Sequence, residues 1–256
     1  MDVIAAHALS IGYGRRVIGA GFEFAIRPGE VVSLLGPNGC GKTTLLKTLL
    51  GLIAPLAGEV RLDDVLLTQI PVTQRARRMA YVPQHAASTF GFSVREIVLL
   101  GRTAHGRLWS PPSRHDREVA HTCLTRMGVA HLADQPLHRV SGGERQLALV
   151  ARALAQEPAL ILLDEPTASL DFGNQGRVLR EMRRLASEGL GVIFTTHDPN
   201  HALRYADRAM LMRDGRLLAD GPAGEVLTAE ALAGMYGTEV SALRDAAHER
   251  AFFVAE

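Results

Sequence analysis

The run VVSLLGPNGCGKTTLLKTLL, residues 31–50, constrains this chain more than any other part of it. VVSLL is a short continuous apolar segment of the kind buried on both faces of a parallel sheet, and KTTLLKTLL has helical spacing. Between them Gly36, Pro37, Asn38, Gly39, Cys40, Gly41, Lys42 and Thr43 fit GxxxxGK[ST], with Thr44 continuing into the helix. In a strand, loop and helix of this order the glycines let backbone N–H groups turn inward at phosphate oxygens, and the helix N-terminus adds a positive dipole end. Lys42 then supplies a charge to β and γ oxygens, and Thr43 can ligate magnesium. A glycine-rich turn with a surface lysine is the plain alternative, and the flanking strand and helix argue against it.

The rest of the chain reads as mixed α/β with a parallel core. Strand-like segments lie around 3–11 and 22–26, where Phe22, Phe24 and Ile26 alternate with polar or small residues. Arg27-Pro28-Gly29-Glu30 reads as a turn, and MAYVPQ (79–84) as another short strand. From about 85 to 157 the pattern turns mostly helical, with Ser93 as a cap before VREIVLL and an irregular proline-bearing loop at 105–116. After Pro158 strands and helices alternate again: LILLD, a helix from 172 to 188, GVIFTT, PNHALRYA, and a hairpin about Asp214-Gly215. No motif is repeated, so one nucleotide-binding unit is expected.

Composition excludes several classes. Lys plus Arg number 28 against 27 Asp plus Glu, a formal charge of +1, so no long-range field draws the chain to nucleic acid or acidic lipid. The apolar runs fall far short of the roughly 20 residues that span a bilayer, and the N-terminus has no basic region ahead of an apolar stretch. A cytoplasmic protein that reaches a membrane only through a protein partner is expected. Cys40 and Cys123 are too few for a disulfide framework and read as packing residues. Cys40, inside the glycine loop, leaves redox sensitivity as an alternative.

Two further elements carry chemistry. LILLDEP (160–166) delivers Asp164 and Glu165 to the carboxyl end of a buried strand, where ligands sit in open α/β sheets. Asp164 would hold magnesium, and Glu165 would orient and polarise an attacking water. Alone, two acids after a strand also suit the start of a solvated loop. VSGGERQ (140–146) opens a helix, so Ser141, Gly142 and Gly143 present hydroxyl and N–H donors at a second helix N-terminus. Alone, SGGE also suits a helix cap. Two anion cradles exceed what one nucleotide needs in one small domain, which points to two chains meeting.

The order GPNGCGKTT, Gln84, SGGERQ, LLDEPTASLD and His197 in TTHDP resembles the ATP-binding subunit of ABC transporters over nearly the whole chain. SGGE separates that family from other phosphate-loop ATPases and GTPases. The resemblance implies a phosphate-loop NTPase core (about 1–84 and 158–240) with a parallel sheet and an N-terminal antiparallel β subdomain. It also implies an inserted helical signature subdomain (about 85–157) and a C-terminal tail (241–256), all in one ATPase domain using ATP and Mg2+. It implies a head-to-tail homodimer in which Ser141, Gly142, Gly143 and Glu144 act on the partner's site, and Asp171 lies in the loop that crosses the interface. Tyr13 resembles the aromatic that stacks on adenine, Gln84 the residue linking magnesium to the membrane partner, and His197 the histidine that contacts the γ-phosphate. Packing, a polar strand end and a satisfied core histidine are the respective alternatives. Magnesium would thus be held by Thr43, Gln84 and Asp164, and hydrolysis served by Glu165, His197 and Lys42. Val140, Glu144 and Cys40 depart from the family's commoner leucine, glutamine and serine or alanine without removing a phosphate-binding group.

Without fused membrane helices, a second ATPase unit or a long coiled coil, the chain resembles a separate subunit at the cytoplasmic face of the inner membrane. Its partners would be a permease dimer and, indirectly, a solute-binding protein. Phe90, Phe92 and Trp109 suit a groove for a permease helix, or the core. LGR (100–102), RYADR (204–208), EVLTAEAL and YGTEV (225–240) are similar to importers of iron-siderophores, haem and cobalamin, while SLDFGNQ and TTHDPNHAL are similar to molybdate or tungstate members of that branch. THDPN differs from the HDLN common among siderophore subunits. Efflux and soluble ABC ATPases stand as further alternatives.

Overall fold

The structure is a computed structural model describing residues 2–84, 91–106, 111–168, 170–245 and 250–256. Its elements, in chain order, begin with β1 (Ile4–Tyr13), β2 (Arg16–Ile26), β3 (Val31–Leu35), α1 (Lys42–Leu49), β4 (Ala57–Leu62), β5 (Val65–Leu66), α2 (Val72–Arg78) and β6 (Met79–Val82). There follow α3 (Val94–Leu99), α4 (Arg114–Arg126), α5 (Gly142–Leu154), β7 (Leu160–Leu163), α6 (Phe172–Ser187), β8 (Gly191–Thr196) and α7 (Pro199–Tyr205). The chain ends with β9 (Arg208–Arg213), β10 (Arg216–Pro222), α8 (Ala223–Val226), α9 (Ala229–Tyr236), β11 (Val240–Asp245) and β12 (Arg250–Ala255). Two compact units result, one formed by Met1–Gln69 with Met182–Glu256, the other by Ile70–Glu181.

In the first unit β1 pairs antiparallel with β2 and β4, and β4 with β5. β2 begins at Arg16, six residues before the alternation of Phe22, Phe24 and Ile26 becomes visible. Its first half, RVIGAG, is glycine-bearing and mostly exposed, so pairing to β1 rather than burial makes it a strand. β3 lies parallel to β8 and β9, and all five of its residues are buried. β9 returns antiparallel as β10 through Asp214 and Gly215, whose φ values of 48° and 73° are those of a two-residue primed turn. At Arg27–Glu30 the Glu30 N–H donates to the Arg27 carbonyl at 3.2 Å with Gly29 at φ 75°, as a proline-glycine turn requires. β11 and β12 form a hairpin where the sequence suggested only a tail. Phe253 anchors it in a cluster with Leu35, Ala202, Leu211, Leu232 and Met235.

In the second unit β6 and β7 are parallel, with Met79 opposite Leu160 and Val82 opposite Leu163. Its helices α3, α4 and α5 open on one device: Ser93 with Glu96, Ser113 with Asp116 and Ser141 with Glu144 each form a reciprocal capping box. Arg102, 5% exposed, ties the helices together. It donates to Asp116 at 2.9 Å, to Glu157 at 2.7 Å and to the Ala155 carbonyl at 2.7 Å. Phe90 and Trp109 lie outside the described residues, and Phe92 is half exposed. Among the described residues no helix is long and apolar enough to cross a membrane.

Candidate functional site

The glycine loop leaves the end of β3 and closes on α1 at Lys42. Gly36 and Gly41 are required sterically. A Cβ on Gly36 would lie 2.1 Å from the Met212 carbonyl oxygen, and one on Gly41, at φ 109°, would lie 2.9 Å from Ile18 Cγ2 and Met212 Cε. Asn38 and Gly39 form the exposed tip, while Cys40 is buried. Burial pushes the Cys40 thiol above its ordinary range, so at neutral pH it is a packing group and a poor nucleophile. Lys42 is buried, and its Nζ donates to the Gly36 carbonyl at 2.7 Å and the Pro37 carbonyl at 3.1 Å. Its ammonium is thus held inside the loop by the loop's own carbonyls. Thr44, also buried, gives its carbonyl to the Thr48 hydroxyl at 2.9 Å, and Thr43 lies beside it in the first turn of α1.

The β3–β8 register pairs Leu35 with Thr196, so Gly36 and His197 are the next residues along neighbouring parallel strands. His197 is exposed at the carboxyl end of a fully buried β8. Asp198 then caps α7, its Oδ1 accepting the Asn200 N–H at 2.8 Å. Tyr13 closes β1, paired with Arg16, and is half exposed.

On the parallel pair of the second unit the Asp164 N–H donates to the Val82 carbonyl at 2.9 Å, extending the ladder one residue past β7. That register sets Asp164, Glu165, Tyr81 and Gln84 together. Asp164, 2% exposed, accepts from the Tyr81 hydroxyl at 3.3 Å. Gln84 Nε2 donates to Glu165 Oε2 at 2.8 Å. Glu165 stands at φ 46°, a left-handed conformation uncommon for a side chain of its kind. Tyr81 was visible in the sequence only as a strand residue, and no local pattern tied it to Asp164, 83 residues further on.

Ser141 precedes α5, its Oγ accepting the Glu144 N–H at 3.2 Å while Glu144 Oε2 accepts the Ser141 hydroxyl at 2.8 Å and N–H at 2.9 Å. These bonds hold the Glu144 carboxyl below the usual range. Glu144, at a position where the family more often has glutamine, is therefore the reciprocal partner of Ser141 in the cap. Asp171 accepts the Asn174 N–H at 2.9 Å and the Asn174 amide at 2.8 Å, and the backbone N–H bond draws its carboxyl downward too.

A glycine loop with an enclosed lysine after one parallel strand, and an Asp–Glu pair after another, define a phosphate-loop nucleoside triphosphatase. The chain belongs to the ABC transporter family, whose profile matches residues 20–168. It is 42% identical over 224 residues to the hemin import ATP-binding protein HmuV of Gloeobacter violaceus, covering 85% of this chain and 81% of that protein. It is 37% identical over 238 residues to the ferric enterobactin transport ATP-binding protein FepC of Escherichia coli K12, covering 93% and 88%. A solved chain from an ABC transporter described as of metal-chelate type, in an inward-facing conformation, superposes with a TM-score of 0.88 at 33% identity, covering 100% of this chain and 98% of that one. The protein is an ATP-binding subunit of an ABC transporter, and its activity is ATP hydrolysis coupled to transport. Subunits of this kind work with membrane permease components.

Proposed function

We propose that this chain powers import of a metal chelate of the haem or iron-siderophore class, as a homodimer bound to a permease dimer that a solute-binding protein supplies. The observation that carries the reading is the full-length likeness to a chain of a metal-chelate type transporter, joined by relatives named for hemin and ferric enterobactin. Tyr13 stacks on adenine, while Lys42 and the N–H groups of Gly39 to Thr44 hold the phosphates. The donors offered to magnesium are the Thr43 hydroxyl, the buried Asp164 carboxylate and the Gln84 amide oxygen, a hard oxygen set that suits that ion. Magnesium, when bound, neutralises charge on the β and γ oxygens. Glu165 orients the attacking water, and His197 contacts the γ-phosphate. Ser141, Gly142 and Gly143 of a second copy complete each site, with Glu144 keeping that helix start in shape and Asp171 at the interface.

Co-expression with a permease and reconstitution into proteoliposomes tests the whole reading. ATP-driven uptake of haem or a ferric siderophore is the expected result, and uptake of oxyanions alone or outward transport would overturn it. Ser141→Arg leaves ATP binding to a single chain intact and abolishes turnover; surviving turnover rules out the shared site. Chelating divalent cations with EDTA stops hydrolysis, and added magnesium restores it. Full activity in EDTA would rule out a metal role for Thr43, Gln84 and Asp164.

A further inference from the structure

The C-terminal segment reaches the His197 loop at two independent points, by three hydrogen bonds that the reaction as described does not use. At the end of α9 the Tyr236 hydroxyl donates to the His197 carbonyl at 3.2 Å. Three residues past His197, the Asn200 side chain holds both backbone groups of one residue in β12. Its Oδ1 accepts the Phe253 N–H at 2.7 Å, and its Nδ2 donates to the Phe253 carbonyl at 3.1 Å. That side-chain amide serves β12 as a neighbouring strand would, satisfying a donor and an acceptor that half-buried backbone must place somewhere. Phe253 in turn is buried among Leu35, the residue before the glycine loop, Ala202 of α7 and Met235 of α9. A two-stranded hairpin is marginal by itself in water, so β11 and β12 persist here because of this anchorage.

We infer that α9 and the β11–β12 hairpin form a clasp that positions His197, with Tyr236 and Asn200 as its two positioning residues. Between His197 and Asn200 lies Asp198, whose carboxylate caps α7 through the Asn200 N–H and whose own N–H donates to the Thr196 hydroxyl at 3.0 Å. With the His197 carbonyl fixed by Tyr236, and α7 fixed to β12, the backbone on both sides of the imidazole has one setting. The inference rests on the proposed role of His197 in contacting the γ-phosphate.

The test is a double-mutant cycle on ATP turnover by the full chain, with Tyr236→Phe, Asn200→Ala and His197→Ala. Tyr236→Phe removes one neutral hydrogen bond, and a fall in kcat of about five-fold with KM for ATP unchanged is the expected result. Asn200→Ala lowers kcat at least as far, and Asn200→Gln does not restore it because the longer amide misses Phe253. In a His197→Ala background neither change lowers turnover further. An equal further loss in that background, or an unchanged kcat in Tyr236→Phe, would overturn the clasp. Tyr236→Phe retains the ring and its packing, so the test stands even where Asn200→Ala unfolds the hairpin. Wild-type turnover in His197→Ala would instead overturn the role of His197 itself, which separates the two failures.

Discussion

Glu165 holds a left-handed backbone conformation that costs a residue with a Cβ on the order of 1 to 3 kcal/mol. The strain sits one residue past a buried aspartate, with the side chain bonded to Gln84. Glu165→Gln keeps that backbone, the side-chain volume and an acceptor for Gln84, but loses the negative charge proposed to polarise water. ATP binding measured by a fluorescent analogue should be unchanged, while turnover falls by about 100-fold or more; rapid hydrolysis by the variant would remove Glu165 from the reaction. Cys40 makes the opposite case, a reactive residue type in a prominent place that its surroundings silence. With its thiol held protonated by burial, alkylation by iodoacetamide at pH 7.5 should be far slower than for a free cysteine, and ATP should change the rate little. Labelling as fast as that of an exposed thiol would revive the redox reading.

At the scale of elements, capping and ion pairing organise the second unit. Asp116 serves twice, as the capping partner of Ser113 and as a partner of Arg102, and its pKa is lowered to about 2 by the Ser113 hydroxyl first and the Arg102 guanidinium next. Because the folded value lies below the ordinary 3.8, this contribution to stability is complete above about pH 4 and is lost as the pH falls towards 2. Thermal unfolding followed by circular dichroism should show the midpoint dropping over that window, and Arg102→Ala should flatten the drop. The same substitution leaves Asp116 and part of Glu157 without their cation and should cost about 3 to 5 kcal/mol at neutral pH by denaturant unfolding. A cost below about 1 kcal/mol would show that water replaces the guanidinium. LGR at 100–102, noted for its resemblance to chelate importers, therefore supplies the arginine at the centre of this ion-pair network.

For the whole molecule, the proposed dimer is the scale at which the two anion cradles make sense. Glu165→Gln with ATP should sediment at twice the monomer mass, and adding Ser141→Arg to the same chain should return it to the monomer. A monomer in both cases would remove the second copy from the site. The parallel register also sets Gly36 beside His197, so the ends of two neighbouring strands bring together residues 161 positions apart in the sequence.

The sequence by itself determined the glycine loop, the acidic pair, the serine cap of α5 and the positions of β3, β7 and β8. In those places local chemistry is complete within a few residues: glycines that alone fit a turn, an apolar run that must be buried, a serine three residues before a glutamate. The outer half of β2, the β11–β12 hairpin and the bonds of Tyr236 and Asn200 were decided only by tertiary structure. Each depends on a partner elsewhere in the chain, 8 residues away in the Ile11–Gly19 pairing and 53 in the Asn200–Phe253 bonds, and the periodicity of the segment itself does not record that partner. Lys42 illustrates the division. Its identity and place followed from GxxxxGK[ST], but its burial against the Gly36 and Pro37 carbonyls followed from the way the loop closes.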